Sequence, residues 1–593
     1  MTRLSKEKIE TYRTNVLPLR LLGDTDLENA DIKWSVSGNS ISLRTFENDE
    51  SHPFKNGVLI RCDNVGDAIV TASLDGEEYT CAVTVREMRH AENDGKLNYY
   101  RGDLHTHTTR FHVREDFLNR TEGFQDEMVN FIKEEGLLDF GVLTDHAELL
   151  NGYEFFKAFT TVEDAEPMRT VLFPGNEGEN MYSEPDMLGT SIRRAGEIVV
   201  LNTDNYKCTD SWDDFLDAFK NAPMPIGIFA HPALDKWDFD FENNANRKDL
   251  VKMMRFIEMG NGEDVKNNLL HEYAYSRALD SGFRVSTTCG SDGHSIRGYK
   301  ICPGKTILMA PEKSREAFTD ALLNLRAYAC ETGNVKLSYT VNGKFAPCDV
   351  ETADTYKFHV DISYFEEDKS TEIVKCELIS NGGISVYETA LVNGGSLDFE
   401  IIANESTYFY LRLTDSLARR TISVPIFTAT NIEKKPRRET ELLCADKFTA
   451  YDEISKTDAN ELLSFDGESA WTNEAPTATI TIDTKEVQEL SAIGIYYAKL
   501  PRRDKLDPSS NCRAHAGYPR KFRLYKSTNG ITFAPFYEGM LRGSCSLEKI
   551  DIPKTSARYL RFEVLTTVAM HYGREKYKDS PVRIGGITLY KPR

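Results

Sequence analysis

Between residues 140 and 294 a short apolar segment gives way four times to a histidine or an acid, and a histidine pair stands ahead of them. The pair lies in Arg101-Gly102-Asp103-Leu104-His105-Thr106-His107. Gly141-Val142-Leu143 leads into Thr144-Asp145-His146, and Val171-Leu172-Phe173 leads into Gly175-Asn176-Glu177. Ile226-Gly227-Ile228-Phe229 leads into Ala230-His231-Pro232, and Val285-Ser286-Thr287-Thr288 leads toward Gly290-Ser291-Asp292-Gly293-His294. Side chains on a strand alternate faces, so His105 and His107 point the same way and can grip one ion. Each apolar run reads as a parallel strand that delivers its last residues to the C-terminal rim of a β/α barrel. The donors are imidazole nitrogens and carboxylate oxygens, a set suited to zinc, manganese or iron. A metal-bound histidine usually donates its other N–H to a carboxylate, and Asp103 and Asp145 are the acids placed for that orienting role.

Composition narrows the alternatives. The chain has 593 residues, with 72 Lys and Arg against 93 Asp and Glu, a net charge of −21. A general nucleic-acid binder needs basic surface, so no nucleic-acid partner is expected. No stretch approaches the roughly 18 apolar residues of a membrane span. The first residues, Met1-Thr2-Arg3-Leu4-Ser5-Lys6-Glu7-Lys8, lack the apolar core of a signal peptide. Eleven cysteines without CxxC spacing read as reduced thiols. Both features point to the cytoplasm, or to an extracellular protein if a leader precedes residue 1.

At this length three to five domains are expected. Residues 1–96 read as a β-sandwich, with alternation around Ile32-Lys33-Trp34-Ser35-Val36, a run at 57–61, and strands at 66–72 and 79–85 flanking the turn Asp75-Gly76. They are similar to bacterial immunoglobulin-like domains, which implies a spacer. Residues 97–335 alternate strands with helices, including a helical face over 122–135 and a strand over 138–143. Residues 336–430 return to β alternation, with Asn342-Gly343 as a turn, and read as a second sandwich that covers apolar barrel surface. A charged linker, Glu433-Lys434-Lys435-Pro436-Arg437-Arg438-Glu439, precedes a β-rich segment at 440–593.

The order HxH, TDH, Glu after a Gly turn, HP and SDxH resembles the PHP (polymerase and histidinol phosphatase) family over about residues 97–335. The resemblance implies a distorted seven-stranded, TIM-like β/α barrel with two or three divalent ions that hydrolyses phosphoesters. On it, His105, His107, Glu177 and Asp292 would hold one ion. Glu177 would bridge to a second held partly by His231, while His146 and His294 would serve a third. Where the family places an acid five residues after HxH, this chain has His112, with Asp116 four further on; either takes the role. Asp145 and Arg297 are the catalytic candidates. Arg110 and Arg297, with Lys300 behind, are placed to neutralise phosphoryl oxygens on rim loops. The amidohydrolase barrel also opens with HxH, and it implies an amide or ester hydrolase. It typically adds a bridging lysine and a lone terminal Asp, whereas the early TDH fits the PHP order. A non-catalytic binding protein with a relic barrel is the other class.

Residues 440–593 resemble the discoidin, or coagulation-factor type C, jelly roll found among carbohydrate-binding modules. The carrying segments are Phe465-Asp466-Gly467-Glu468 with Trp471, Thr479-Ile480-Thr481-Ile482-Asp483, the run Tyr518-Pro519-Arg520-Lys521-Phe522, and Ala557-Arg558-Tyr559-Leu560-Arg561-Phe562. This implies a carbohydrate ligand, and hence a small-molecule or glycan-linked phosphoester substrate. The insertion at 502–515, with Arg502, Arg503, Lys505, Arg513 and His515, would lie among the loops of that module.

Overall fold

The computed structural model describes residues 2–24, 27–28, 30–49, 52–107, 138–147, 150–164, 171–180, 184–185, 192–193, 196–209, 211–232, 239, 241–262, 271–293, 302–366, 372–391, 395–402, 406–428, 440–463, 471–496, 517–541, 548–571 and 578–592. The expected helix at 122–135, the linker at 433–439, the segment 465–468 and the insertion at 502–515 lie outside these residues.

The N-terminal segment is a sandwich of two four-stranded sheets. Its last strand, Glu77–Arg86, turns Cys81, Val83 and Val85 inward and leaves the residues between them in solvent. Asp75 and Gly76 both have positive φ, 53° and 85°, the geometry of a two-residue hairpin whose twist matches its strands. The segment is no free spacer. Its Phe46 and Phe54, with ring centroids 4.9 Å apart, pack on Phe155, Phe156 and Phe159 of α1 (Gly152–Asp164). Gly57 is required there, because a Cβ would lie 2.4 Å from the Phe156 ring. Arg86 and Arg89 add a fork of bonds to Glu316.

The central segment supplies β1 (Asn98–Gly102), β2 (Phe140–Leu143), β3 (Val171–Asn180), β4 (Gly196–Leu201), β5 (Ile226–Phe229), β6 (Met254–Asn261), β7 (Ser286–Gly290), β8 (Lys305–Ala310) and β9 (Ala327–Cys330). They pair in the order β7-β6-β5-β4-β3-β2-β1-β8-β9. β1, β2 and β3 are mutually parallel, as are β5, β6 and β7. β4 is antiparallel to both its neighbours, so the two parallel groups still run the same way. β8 is antiparallel to β1. The strands carrying the expected ligands are thus co-directional, as their apolar runs predict, within a sheet that is mixed because of β4 and β8.

The sheet curls until β7 meets the far side. Ser286 Oγ donates to Ala327 O, and Thr306 Oγ1 both accepts from Cys289 N at 3.0 Å and donates to Cys289 O at 2.8 Å. Hydroxyls lace this seam; no backbone ladder joins β7 to β8 among the described residues. Phe140, Val142, Val199, Ile228, Phe256 and Leu308 form a buried cluster shared by strands from across the sheet.

Past β9 the ladder continues without a break into Arg420–Ile422, Tyr408–Asp415, Ile373–Ser380 and Ile384–Ala390. The segment after residue 335 thus shares a sheet with the central one rather than merely covering it. A second sheet, from Val335–Val341, Thr355–Tyr364 and Gly395–Ile402, closes the sandwich. A buried ionic network binds the two segments. Glu272 on α2 (His271–Ser281) accepts from Arg412 at 2.8 Å and Arg420 at 2.9 Å. Arg412 also forks onto Glu377 and Arg420 onto Glu331.

The C-terminal segment is built around two long strands, Ala478–Tyr496 and Glu548–Thr567, with a dense core between its sheets. Buried Arg520 donates to Leu541 O within it and to Gly382 O of the neighbouring sandwich.

Candidate metal centre

The strand ends of β1, β2 and β7 are stitched together before any side chain enters the site. Asp292 N donates to His105 O at 2.9 Å and His107 N to Gly293 O at 3.1 Å, with Thr106 and Gly293 forming a parallel bridge. Thr144 N donates to Thr106 O, and Thr106 Oγ1 to Val142 O. The carboxylate of Asp103 accepts the backbone N–H of His105 and of Ser291. Its expected role is thereby corrected: it orients the backbone, not an imidazole, because its oxygens are taken by the amides of His105 and Ser291.

The rigid frame brings five of the sequence candidates together. His105 Nε2 and His107 Nε2 lie 3.1 Å apart, and Asp292 Oδ1 is 3.1 Å from His107 Nε2 and 3.6 Å from His105 Nε2. One ligand atom each of His105, His231 and Asp292 fits within 4.8 Å. The His146 ring stacks on His107 with centroids 4.5 Å apart and planes at 15°. His105 and His107 are fully buried, while the Asp292 side chain is 24% exposed, so the cluster opens to solvent through Asp292. Asp145 is buried beside His146. Glu177 lies inside β3, paired with Val199, not at a strand terminus, since β3 runs on against β4. Arg110, His112, Asp116, His294, Arg297 and Lys300 lie outside the described residues.

Two residues of this cluster adopt a backbone that L-residues avoid: φ is 27° at His231 and 48° at Asp292. Such conformations cost on the order of 1–3 kcal/mol and persist where the surroundings over-determine them. Here the amide of each is held, His231 N by Glu258 Oε2 at 2.8 Å and Asp292 N by His105 O. Burial works against the Asp292 charge, yet the imidazoles of His105 and His107 beside it hold the carboxyl well below the usual carboxylate range.

Sequence reasoning missed two acids. Glu258, from the middle of β6 and 1% exposed, accepts His105 Nδ1–H at 2.9 Å. A register shift just past it, between Glu258 and Gly260, marks a bulge of the kind that re-aims side chains near functional sites. An acid inside the apolar run Phe256-Ile257-Glu258-Met259 was its only local signal. Glu197 is the second residue of β4, and its Oε2 lies 3.1 Å from His231 Nε2. Because β4 runs against its neighbours, its N-terminal end, not its C-terminal one, faces the rim, and strand C-termini do not point to it.

The donor set fits divalent cations. Imidazole Nε2 atoms and carboxylate oxygens converge on a common volume, and no Lys or Arg pairs with Glu258 or Glu197 among the described residues. No protein-family model and no curated protein matches the chain. Among solved structures it is similar to a two-domain protein from Bacteroides vulgatus containing a predicted PHP-like metal-dependent phosphoesterase, at 16% identity and TM-score 0.30, covering 56% of this chain and 94% of that one. It is also similar to a family 32 carbohydrate-binding module of Clostridium perfringens solved with galactose, at 12% identity and TM-score 0.20, covering 26% of this chain and 100% of that one. An F5/8 type C domain from Bacteroides fragilis gives 9% identity and TM-score 0.19, covering 26% and 97%. These are the two kinds of domain that the motifs resemble.

Proposed function

We propose that the chain is a metal-dependent hydrolase of phosphoesters, with the convergence of His105, His107, His231 and Asp292 as the observation that carries the reading. Divalent ions bound there, zinc, manganese or iron, would supply an activated water and cancel the repulsion between it and the anionic phosphoryl oxygens. His105, His107 and Asp292 would hold one ion, with Glu177 as its further ligand. His231 and Glu197 face each other at the edge of the same cluster and would serve a second. His146, stacked on His107, would serve a third together with His294. Arg110 and Arg297 are assigned to the phosphoryl oxygens, and Asp145 to a proton or to orienting His146. Ligands delivered by a stitched frame need no rearrangement as charge develops, which is where electrostatic catalysis gains most. The barrel framework itself, in its distorted TIM-like form, is part of this reading.

The C-terminal jelly roll is proposed to hold the glycan-linked part of a substrate, raising its local concentration at the barrel. The test is metal analysis of gently purified protein coupled to a screen of phosphomonoesters, phosphodiesters, amides and carboxylic esters. Two or three ions per chain, with phosphoester turnover lost to chelators and restored by manganese or zinc, is the expected result. Amide or ester turnover alone would move the chain to the amidohydrolase reading. Near-zero metal with no gain on its addition would leave a non-catalytic binding protein.

A further inference from the structure

We propose that Glu258 is the positioning residue that makes His105 and His231 ligands at the same time; this rests on the metal-site reading above. Its two oxygens do different jobs. Oε1 takes the Nδ1–H of His105 at 2.9 Å, while Oε2 takes the backbone N–H of His231 at 2.8 Å and the Nδ2–H of Asn261 at 3.0 Å. An ionised carboxylate only accepts, so the His105 proton must sit on Nδ1. The Nε2 lone pair is then directed at the cluster shared with His107 and Asp292. On the other side, the Oε2 contact holds the amide of His231, whose φ of 27° is unfavourable for a side-chain-bearing residue. One carboxylate on β6 thereby sets the tautomer of a ligand following β1 and the backbone of a ligand following β5.

The surroundings are shaped around this carboxylate. A Cβ at residue 290 would lie 2.4 Å from Glu258 Oε1 and 2.5 Å from His105 Cβ, so Gly290 keeps open the space where the two meet. The bulge past Glu258 lies in the same pair of strands. A buried carboxylate without a Lys or Arg partner among the described residues is costly to desolvate unless charge is offset nearby. A cation held by His105 would offset it through the imidazole, in the carboxylate–histidine–metal arrangement.

Glu258→Gln tests this sharply. The amide puts a donor where one of two acceptors stood. Turned toward His105, it forces the proton onto Nε2; turned toward His231, it faces an N–H. Metal-free protein would be titrated with zinc against a chelating competitor, in parallel with the unaltered chain. Expected is a 10- to 100-fold weaker zinc affinity, with the circular dichroism of the metal-free protein unchanged. Equal affinity in the two proteins overturns this inference alone, whereas an unaltered chain that binds no zinc overturns both it and the metal-site reading. Histidine-selective ¹⁵N spectra of the unaltered, metal-free chain keep the proposal testable if the variant does not fold. A protonated Nδ1 on His105 supports it, and a protonated Nε2 sinks it.

Discussion

Two charged clusters lie in the central region, and they are built on opposite principles. In the network around Glu272, two guanidiniums face three carboxylates, and each fork closes on an acceptor of matching geometry. Burial alone would push Glu272 up, but Arg412 and Arg420 hold it below its ordinary value. In the rim cluster, like meets like: two imidazole nitrogens lie 3.1 Å apart with a carboxylate oxygen beside them. Acceptors converge there on a space where a cation would complete them. A buried ionic cluster compensated within itself is architecture, while one that aims lone pairs at a common point is a binding site. Burial and perturbed acidity do not separate the two, since both clusters have both; the balance of donors and acceptors does.

Loss of the rim should remove function and spare the fold. Asp292→Ala and His107→Ala are each expected to have no measurable phosphoester turnover, with circular dichroism and the thermal midpoint of the metal-free protein close to those of the unaltered chain. Full activity in either variant would take that residue out of the site.

The opposite result is expected for the network. Glu272→Ala leaves Arg412 and Arg420 buried with less than their full complement of charge, and breaking such a pair costs about 3–5 kcal/mol. Denaturant unfolding would measure it. If Glu272→Ala costs less than Asp292→Ala does in the metal-free chain, the contrast between the clusters collapses.

Much of this was legible in the sequence for a physical reason. The His105/His107 pair, the apolar runs before His146, His231 and Asp292, and the Asp75-Gly76 and Asn342-Gly343 turns are local patterns, and strand alternation and turn geometry are local physics. What stayed hidden depends on pairing between distant segments. Strand direction is not written in a strand, so Glu197 at the start of an antiparallel β4 gave no sign. Glu258 acquires its role only when β6 meets β1 and β5 in space. The docking of Phe46 and Phe54 on α1 and the sheet that crosses residue 335 are likewise contacts between segments, each of which reads alone as an independent domain.

Acid should separate the clusters by a smaller amount. Burial opposes the charge of Glu377, but Arg412 and Lys375 hold its carboxyl at about 2, against an ordinary 4.5. A group with a depressed folded pKa contributes stability that is complete above the unfolded value and is lost as pH falls through the folded one. The window therefore runs from about pH 4.5 down to about 2, and the contribution at stake is roughly 3 kcal/mol. Glu377→Gln should flatten the unfolding free energy across that window relative to the unaltered chain. An equal slope in both proteins would mean that other carboxylates carry the acid limb.

The smallest effect is expected where the C-terminal jelly roll meets the rest. Its described anchor is Arg520, bonded to Leu541 O on its own side and to Gly382 O on the other. Gly382 N is held separately by Asp280 of α2, so its loop keeps a tether when Arg520 is gone. None of the described rim residues comes from beyond residue 335. A chain ended in the linker after residue 428 should therefore fold and keep its turnover number on a nitrophenyl phosphate. It should lose affinity only for a glycan-bearing substrate, because a tethered module raises effective concentration without altering the chemistry. A chain ended at 335 should not fold, since it cuts the shared sheet and strips Glu272 and Glu331 of their arginines. Circular dichroism and kinetics on both truncated chains decide the matter. A folded 428 truncation without activity on the small substrate would make the jelly roll part of the active site and end the division between rim and frame drawn here.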